Sequence, residues 1–273
     1  MSNPAVLTAV ENRVGIITLN RPDALNAWNG PLCQQLDQAL VWAGETDEVA
    51  AVVITGAGRA FCAGADLSGG SDTFADGGTA RAADDDVAAR TPKVLPWDVP
   101  KPVIAAINGH AVGVGATYAL ACDMRIIADT AKLAFVFSRR GMLPELGSHA
   151  VLPRVVGLSN ASDLLFSGRA IGGSEAAEMG LASASVAADQ VLATALGRAA
   201  EMAAYAAPVS MAISKRLLWE SLGLAEMRAR EEPLFNWVAN QPDSVEGVSS
   251  FLEKRTPEWK MSVAEDFPHE LFK

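Results

Sequence analysis

The chain has 273 residues, half of them hydrophobic and a fifth charged, with a formal net charge of −10. That length suits one large domain or a core with an extension, the composition excludes a wholly disordered chain, and the negative balance argues against a nucleic-acid partner, which needs a basic face. A small anionic ligand held by a few local cations remains compatible with it.

No run of about eighteen uncharged apolar residues is present, so no helical membrane span is expected. The first nineteen residues carry no basic stretch ahead of an apolar core, so no secretion signal is expected. Cys33, Cys62 and Cys122 are widely spaced and read as reduced thiols in the cytoplasm. With three histidines and no Cys-x-x-Cys or His-Glu-x-x-His spacing, no metal is expected.

Val14–Leu19 is a β-rich run that stops at Asn20-Arg21-Pro22. Residues 31–43 place Leu32, Leu36, Leu40 and Val41 at helical spacing. A buried strand is predicted over 51–55, ending in Gly56-Ala57-Gly58. Residues 68–90, rich in Gly, Ala, Asp and Ser, read as a tolerated insertion or as a lid over a pocket. Another strand covers Val103–Ile107, a buried helix 115–122 and a further strand Met124–Ala128. From about residue 159 the pattern is helical, over 159–166, 174–179, 189–207, 209–222, 224–240 and 244–254. This order predicts a strand-and-helix core followed by a helical extension, with no fixed-period repeat.

Two segments stand out. Gly58-Arg59-Ala60-Phe61-Cys62-Ala63-Gly64-Ala65-Asp66-Leu67 follows the strand at 51–55, and Asn108-Gly109-His110-Ala111-Val112-Gly113-Val114-Gly115-Ala116 follows Val103–Ile107. Small residues beyond a strand let a ligand approach backbone N–H groups. The second segment also opens a helix, where unpaired N–H groups gather and a developing oxyanion is stabilised. On spacing alone, such loops also serve merely as tight turns. Gly113-x-Gly115 lacks the third glycine of the dinucleotide fingerprint, and no phosphate-binding Gly-x-x-x-x-Gly-Lys motif occurs. Ser138, His149 and Asp123 lack the Gly-x-Ser-x-Gly setting of a nucleophile.

In combination, several stretches resemble the enoyl-CoA hydratase/isomerase, or crotonase, superfamily. They are Leu19-Asn20-Arg21-Pro22 with Ala24-Leu25-Asn26-Ala27; Ile54-Thr55-Gly56 through Leu67; Lys101-Pro102-Val103-Ile104-Ala105-Ala106-Ile107-Asn108-Gly109; Ala121-Cys122-Asp123-Met124-Arg125; and Glu246-Gly247 with Phe251-Leu252-Glu253-Lys254-Arg255. They occur in the family's order over nearly the whole chain. The resemblance implies an α/β fold, a ClpP-like spiral of ββα units over 1–200, with a helical trimerisation region over 201–273 and assembly as a homotrimer or hexamer. It implies an oxyanion hole built from the N–H groups of Ala65 and Val114, where the family often has glycine at the second position. The coenzyme A arm would pass Leu25, Ala27, Ala63 and Ala65, with Phe251 and Lys254 supplied by a neighbouring subunit near the adenine and a phosphate. Coenzyme A enters as part of the thioester substrate, and no permanently bound cofactor is implied.

Hydratases of the family work with two glutamates, general acid–base chemistry at two positions. The resemblance puts Thr117 and Phe137 at those places, and neither titrates near neutral pH. Arg139-Arg140-Gly141-Met142-Leu143-Pro144-Glu145 instead resembles the isomerase branch, in which a carboxylate after proline is the catalytic base. By itself Glu145 also reads as a solvated loop acid paired with Arg139 or Arg140, and His149 as its orienting partner or as a helix cap. Asp66 and Asp123 read as structural. The resemblance thus favours a Δ3,Δ2-enoyl-CoA isomerase of fatty-acid degradation. Its rivals are a hydratase-type lyase with atypical residues and a non-catalytic acyl-CoA-binding protein.

Overall fold

The computed structural model describes residues 3–74 and 91–272. The strands are β1 (Val6–Glu11), β2 (Val14–Leu19), β3 (Ala51–Gly56), β4 (Ala60–Cys62), β5 (Val103–Ile107), β6 (His110–Val112), β7 (Met124–Ala128), β8 (Lys132–Ala134), β9 (Ala170–Gly172) and β10 (Ala184–Val186). The α-helices are α1 (Gly30–Glu45), α2 (Val114–Leu120), α3 (Ser148–Ser167), α4 (Gly173–Glu178), α5 (Val191–Tyr205), α6 (Pro208–Glu220), α7 (Leu224–Ala239), α8 (Pro242–Glu253) and α9 (Val263–Asp266).

A six-stranded sheet runs in the order β1-β2-β3-β5-β7-β10, and a four-stranded sheet in the order β4-β6-β8-β9. Three times the chain leaves the larger sheet for the smaller one, from β3 to β4, β5 to β6 and β7 to β8. This stepping is the expected α/β spiral. β3 and β5 are buried along their whole length, as parallel strands covered on both faces should be. One cover is α5, which sets the small residues Ala195 and Ala199 toward β3 and β5. Alanine there lets helix and sheet approach closely. A second, smaller core gathers Val209, Ala212, Ile213, Leu234, Met261 and Val263 among the C-terminal helices.

Two buried lysines join these layers. Lys101, 4% exposed, donates to the carbonyls of Ala43 and Thr46 at the end of α1, and burial pushes its pKa down to about 8. Lys215 on α6 donates to the carbonyls of Pro96 and Lys101 and pairs with Asp123 at 2.8 Å. Asp123 also accepts from Val103 N–H and the Trp219 indole, so it holds strand and helix together.

The structure departs from the sequence reading in a few places. α1 begins at Gly30, because the Asn29 side chain caps it by accepting from Leu32 N–H at 3.0 Å. The helix predicted over 159–166 extends back to Ser148, with Pro153 inside it and a break at Gly157, where φ is 77°. Those two residues conceal a helix from propensity reasoning. β1 was not anticipated; it closes a hairpin through Asn12 and Arg13, both at positive φ, a turn without the usual glycine signal. Leu67–Phe74 forms 3₁₀ turns; the rest of the segment read as a lid or insertion, 75–90, lies outside the described residues.

Candidate functional site

The first wall of the site is organised by Asn26. It is fully buried and left-handed, with φ 55°, a conformation that asparagine tolerates better than most residues. Its amide donates to the carbonyls of Ala57 and Ala60 and its oxygen accepts from Arg21 N–H. This pins the turn after β2 against the start of β4. Leu25 and Ala27, on either side, then run beside the Ala63–Asp66 segment. Ala63 N–H donates to the Leu25 carbonyl, Trp28 N–H to that of Gly64, and Asp66 N–H to that of Trp28. The structure therefore brings together Leu25, Ala27, Ala63 and Ala65. Arg21 clamps the pair of segments, donating to the Ala27 carbonyl and meeting Asp66 at 2.9 Å. Burial raises the Asp66 pKa, but hydrogen bonds from Arg21 and Ser68 outweigh it and hold the carboxyl below the ordinary value.

The second wall is the β6–α2 turn. Gly113 has φ 55° and Gly64 has φ 108°, and a Cβ on Gly64 would come within 3.1 Å of the Val112 carbonyl oxygen. Small residues thus let the two loops touch. Ala65 N–H and Val114 N–H find no acceptor among the described residues. Val114 is the first residue of α2, so its N–H lies ahead of any intrahelical partner.

One turn along α2 stands Thr117, fully buried. Its hydroxyl lies 3.2 Å from the Val114 carbonyl oxygen and 3.3 Å from Glu145 Oε1. Glu145 comes from the turn before α3, whose shape depends on left-handed Gly141, Leu146 and Gly147. A Cβ on Gly147 would sit 3.4 Å from the Trp97 ring, which bounds this turn. Glu145 as a residue is exposed on the single chain, while its carboxyl end reaches inward to Thr117. Burial of that end raises its pKa; the Thr117 hydrogen bond opposes the rise without cancelling it.

The other expected residues sit as follows. Phe137 is half-buried and packs on the main core. His149 is exposed at the start of α3 and, among the described residues, its ring makes no hydrogen bond to Glu145 or to a helix end. Ser138 donates to the Phe166 carbonyl, and with Asp123 held by Lys215 no Ser–His–Asp set forms. Phe251, 80% exposed, and Lys254 lie at the C-terminal end of α8 on the surface of the single chain. The pull of Asn26 on Ala57 and Ala60, the Arg21 clamp and the Thr117–Glu145 contact were not anticipated. The tolerance of asparagine for left-handed backbone was the one available sign. All three cysteines are buried, and burial pushes each pKa up to about 12, leaving inert thiols. Among the described residues no cluster fits a metal ion and no helix is long and apolar enough to cross a membrane.

Two facing loops whose Ala65 and Val114 N–H groups have no acceptor among the described residues, with one carboxyl bonded to the same helix, form an arrangement able to stabilise charge on a carbonyl oxygen. The sequence profile of the family described as Enoyl-CoA hydratase/isomerase matches residues 9–262, and the chain belongs to that family. It is thereby a member of a group of enzymes that act on acyl thioesters of coenzyme A. It is 37% identical over 263 residues to a protein of Mycobacterium bovis described as a probable enoyl-CoA hydratase, covering 95% of this chain and 99% of that one. It is 35% identical to the 1,2-epoxyphenylacetyl-CoA isomerase of Escherichia coli, covering 93% and 97%. Among solved structures, a probable enoyl-CoA hydratase/isomerase from Mycobacterium abscessus superposes with a TM-score of 0.86 at 35% identity, covering 93% and 98%.

Proposed function

We propose that this enzyme is a Δ3,Δ2-enoyl-CoA isomerase acting in fatty-acid degradation in the cytoplasm. The observation that carries the reading is Glu145, hydrogen-bonded to Thr117 on the helix whose first N–H has no acceptor among the described residues. In this reading the thioester carbonyl oxygen lies between the N–H groups of Ala65 and Val114. The Glu145 carboxylate takes a proton from C2 of a 3-enoyl-CoA, and the electron pair delocalises into a dienolate whose negative oxygen the two N–H groups hold. The protonated carboxyl then returns the proton at C4, and the double bond finishes between C2 and C3. C2 and C4 are about 2.5 Å apart by ordinary bond lengths, so one side chain serves both. A raised carboxyl pKa suits this work, since it brings acid and base forms nearer to balance at neutral pH.

Leu25, Ala27 and Ala63 would flank the coenzyme A arm, with Phe251 and Lys254 contributed by a second copy of the chain. The exposed Leu224, Phe235, Val245, Val248 and Phe251 support residues 201–273 as an oligomerisation region, forming a homotrimer or a hexamer. Light scattering on the purified protein reads that state directly.

The reaction is tested by incubating the protein with 3-enoyl-CoA and 2-enoyl-CoA separately. Conversion of the first, abolished by Glu145→Gln, is expected. Efficient hydration of the second, untouched by that substitution, overturns the reading. A hydratase-type activity is the second reading, favoured by the description of the Mycobacterium bovis relative. Solvent-deuterium uptake at C2 separates either enzyme from a silent acyl-CoA carrier.

A further inference from the structure

We propose that Thr117 is a positioning residue, whose hydroxyl anchors Oε1 of Glu145 and leaves Oε2 as the oxygen that exchanges protons with substrate. The inference rests on Glu145 being the base.

A glutamate on a loop has three rotatable bonds and no fixed aim. Thr117 supplies the missing constraint. It is fully buried within α2, and a β-branched side chain there has few rotamers, so Oγ1 is held in place. That oxygen stands 3.3 Å from Oε1 and 3.2 Å from the Val114 carbonyl oxygen. A hydroxyl has one proton for these two acceptors. A bond to an ionised carboxylate is the stronger of the two, so the hydroxyl turns to Oε1 when Glu145 is ionised. When Oε2 has taken a proton the charge is gone, and the bond to Val114 becomes competitive. The anchor therefore grips most firmly in the state about to accept a proton.

Among the described residues no charged neighbour does this work in its place. α2 contains no charged residue, and its one titratable group, Tyr118, packs against Trp28 with the rings tilted and their centroids 5.1 Å apart. Arg139 donates to the Ser167 carbonyl, and Arg140 and His149 are exposed. Asp98, next to Trp97 in the chain, accepts from Leu95 N–H. Burial raises the Glu145 carboxyl pKa, and the Thr117 bond opposes the rise.

The test compares Thr117→Val, which keeps the shape, with Thr117→Ser, which keeps the hydroxyl. Carbon-13 NMR of labelled glutamate, with the Glu145 signal assigned through Glu145→Gln, follows the titration of the carboxyl. In Thr117→Val the midpoint moves to higher pH, because a bond favouring the ionised form is lost; Thr117→Ser returns it. With 3-enoyl-CoA, kcat of the valine variant falls about ten- to a hundredfold, the scale for a misplaced catalytic group, while KM is unchanged. An unmoved Glu145 titration in a folded valine variant overturns the proposal. Thr117→Ala serves in the same measurement if valine fails to fold. If the wild type does not isomerise 3-enoyl-CoA yet the titration shifts as stated, the anchor stands and the isomerase reading falls.

Discussion

A Cβ placed on Gly115 would stand 2.2 Å from the carbonyl oxygen of Cys62. α2 therefore starts directly against the end of β4, and this contact sets the spacing between the Val114 N–H and the loop bearing Ala65. Gly115→Ala has no room and must push the helix start away from backbone that cannot yield. The expected cost is about 3 kcal/mol, in the range of overpacked cores, with a loss of kcat larger than the change in KM. Gly197 in α5 is the control. It is exposed and nothing lies within 4 Å of its added Cβ, so Gly197→Ala raises stability by up to about 1 kcal/mol. Urea titration of both variants reads the contrast.

Asn26→Ala removes three hydrogen bonds at a fully buried position. The carbonyls of Ala57 and Ala60 lose a donor, and alanine is poorly suited to φ 55°. The expected destabilisation is roughly 2–4 kcal/mol. Leu25 and Ala27 would lose their register beside Ala63, so KM for an acyl-CoA rises even at temperatures where the variant is folded. Chemical denaturation and steady-state kinetics check the two halves.

The raised pKa of Glu145 has a signed consequence for pH. Under the proposed isomerase reading Glu145 acts ionised, so kcat/KM is expected to fall as pH drops through a value above that of an ordinary glutamate. For stability, the folded chain binds this proton more readily than the unfolded chain does. Stability therefore decreases as pH rises from the unfolded value through the folded one, and the unfavourable effect is fully present above the folded pKa. Glu145→Gln is expected to melt higher than wild type at neutral pH, with the gap closing toward acid pH. Parallel thermal melts across pH measure it.

Lys215 and Asp123 act as one unit. Lys215→Met leaves the carbonyls of Pro96 and Lys101 without their donor and strands a sheltered carboxylate, at an expected cost of about 3–5 kcal/mol. Asp123→Asn costs less, since the amide still meets the indole of Trp219 and the Lys215 amine keeps both carbonyls. The double variant should fall short of the sum of the two, because each removes the same contact. A double-mutant cycle in urea gives the coupling.

Much of the fold was legible because local signals and burial agree. β5 announces itself as uninterrupted Val, Ile and Ala and β3 as Ala-Val-Val-Ile followed by Thr55, and α6, α7 and α8 fall within a few residues of their predicted bounds. The three-residue strands β4, β6, β8, β9 and β10 carry no period to detect, and they exist because neighbouring backbone supplies their partners. α3 was half hidden by Pro153 and Gly157.

The sequence carries the family resemblance in several stretches spread along nearly the whole chain, and that resemblance singled out Ala65, Val114 and Glu145 as the groups to watch. Only the tertiary structure decided what stands around them. The sequence marks Thr117 only as a residue that does not titrate at the place of a hydratase glutamate; folding puts its hydroxyl 3.3 Å from a carboxyl 28 positions later. Asn26 and Arg21 carry no periodic signal, yet they fix Leu25 and Ala27 beside Ala63. The reason is physical: apolar periodicity reports which face of an element is buried, whereas a hydrogen bond between distant residues depends on where the loops between those elements end in space.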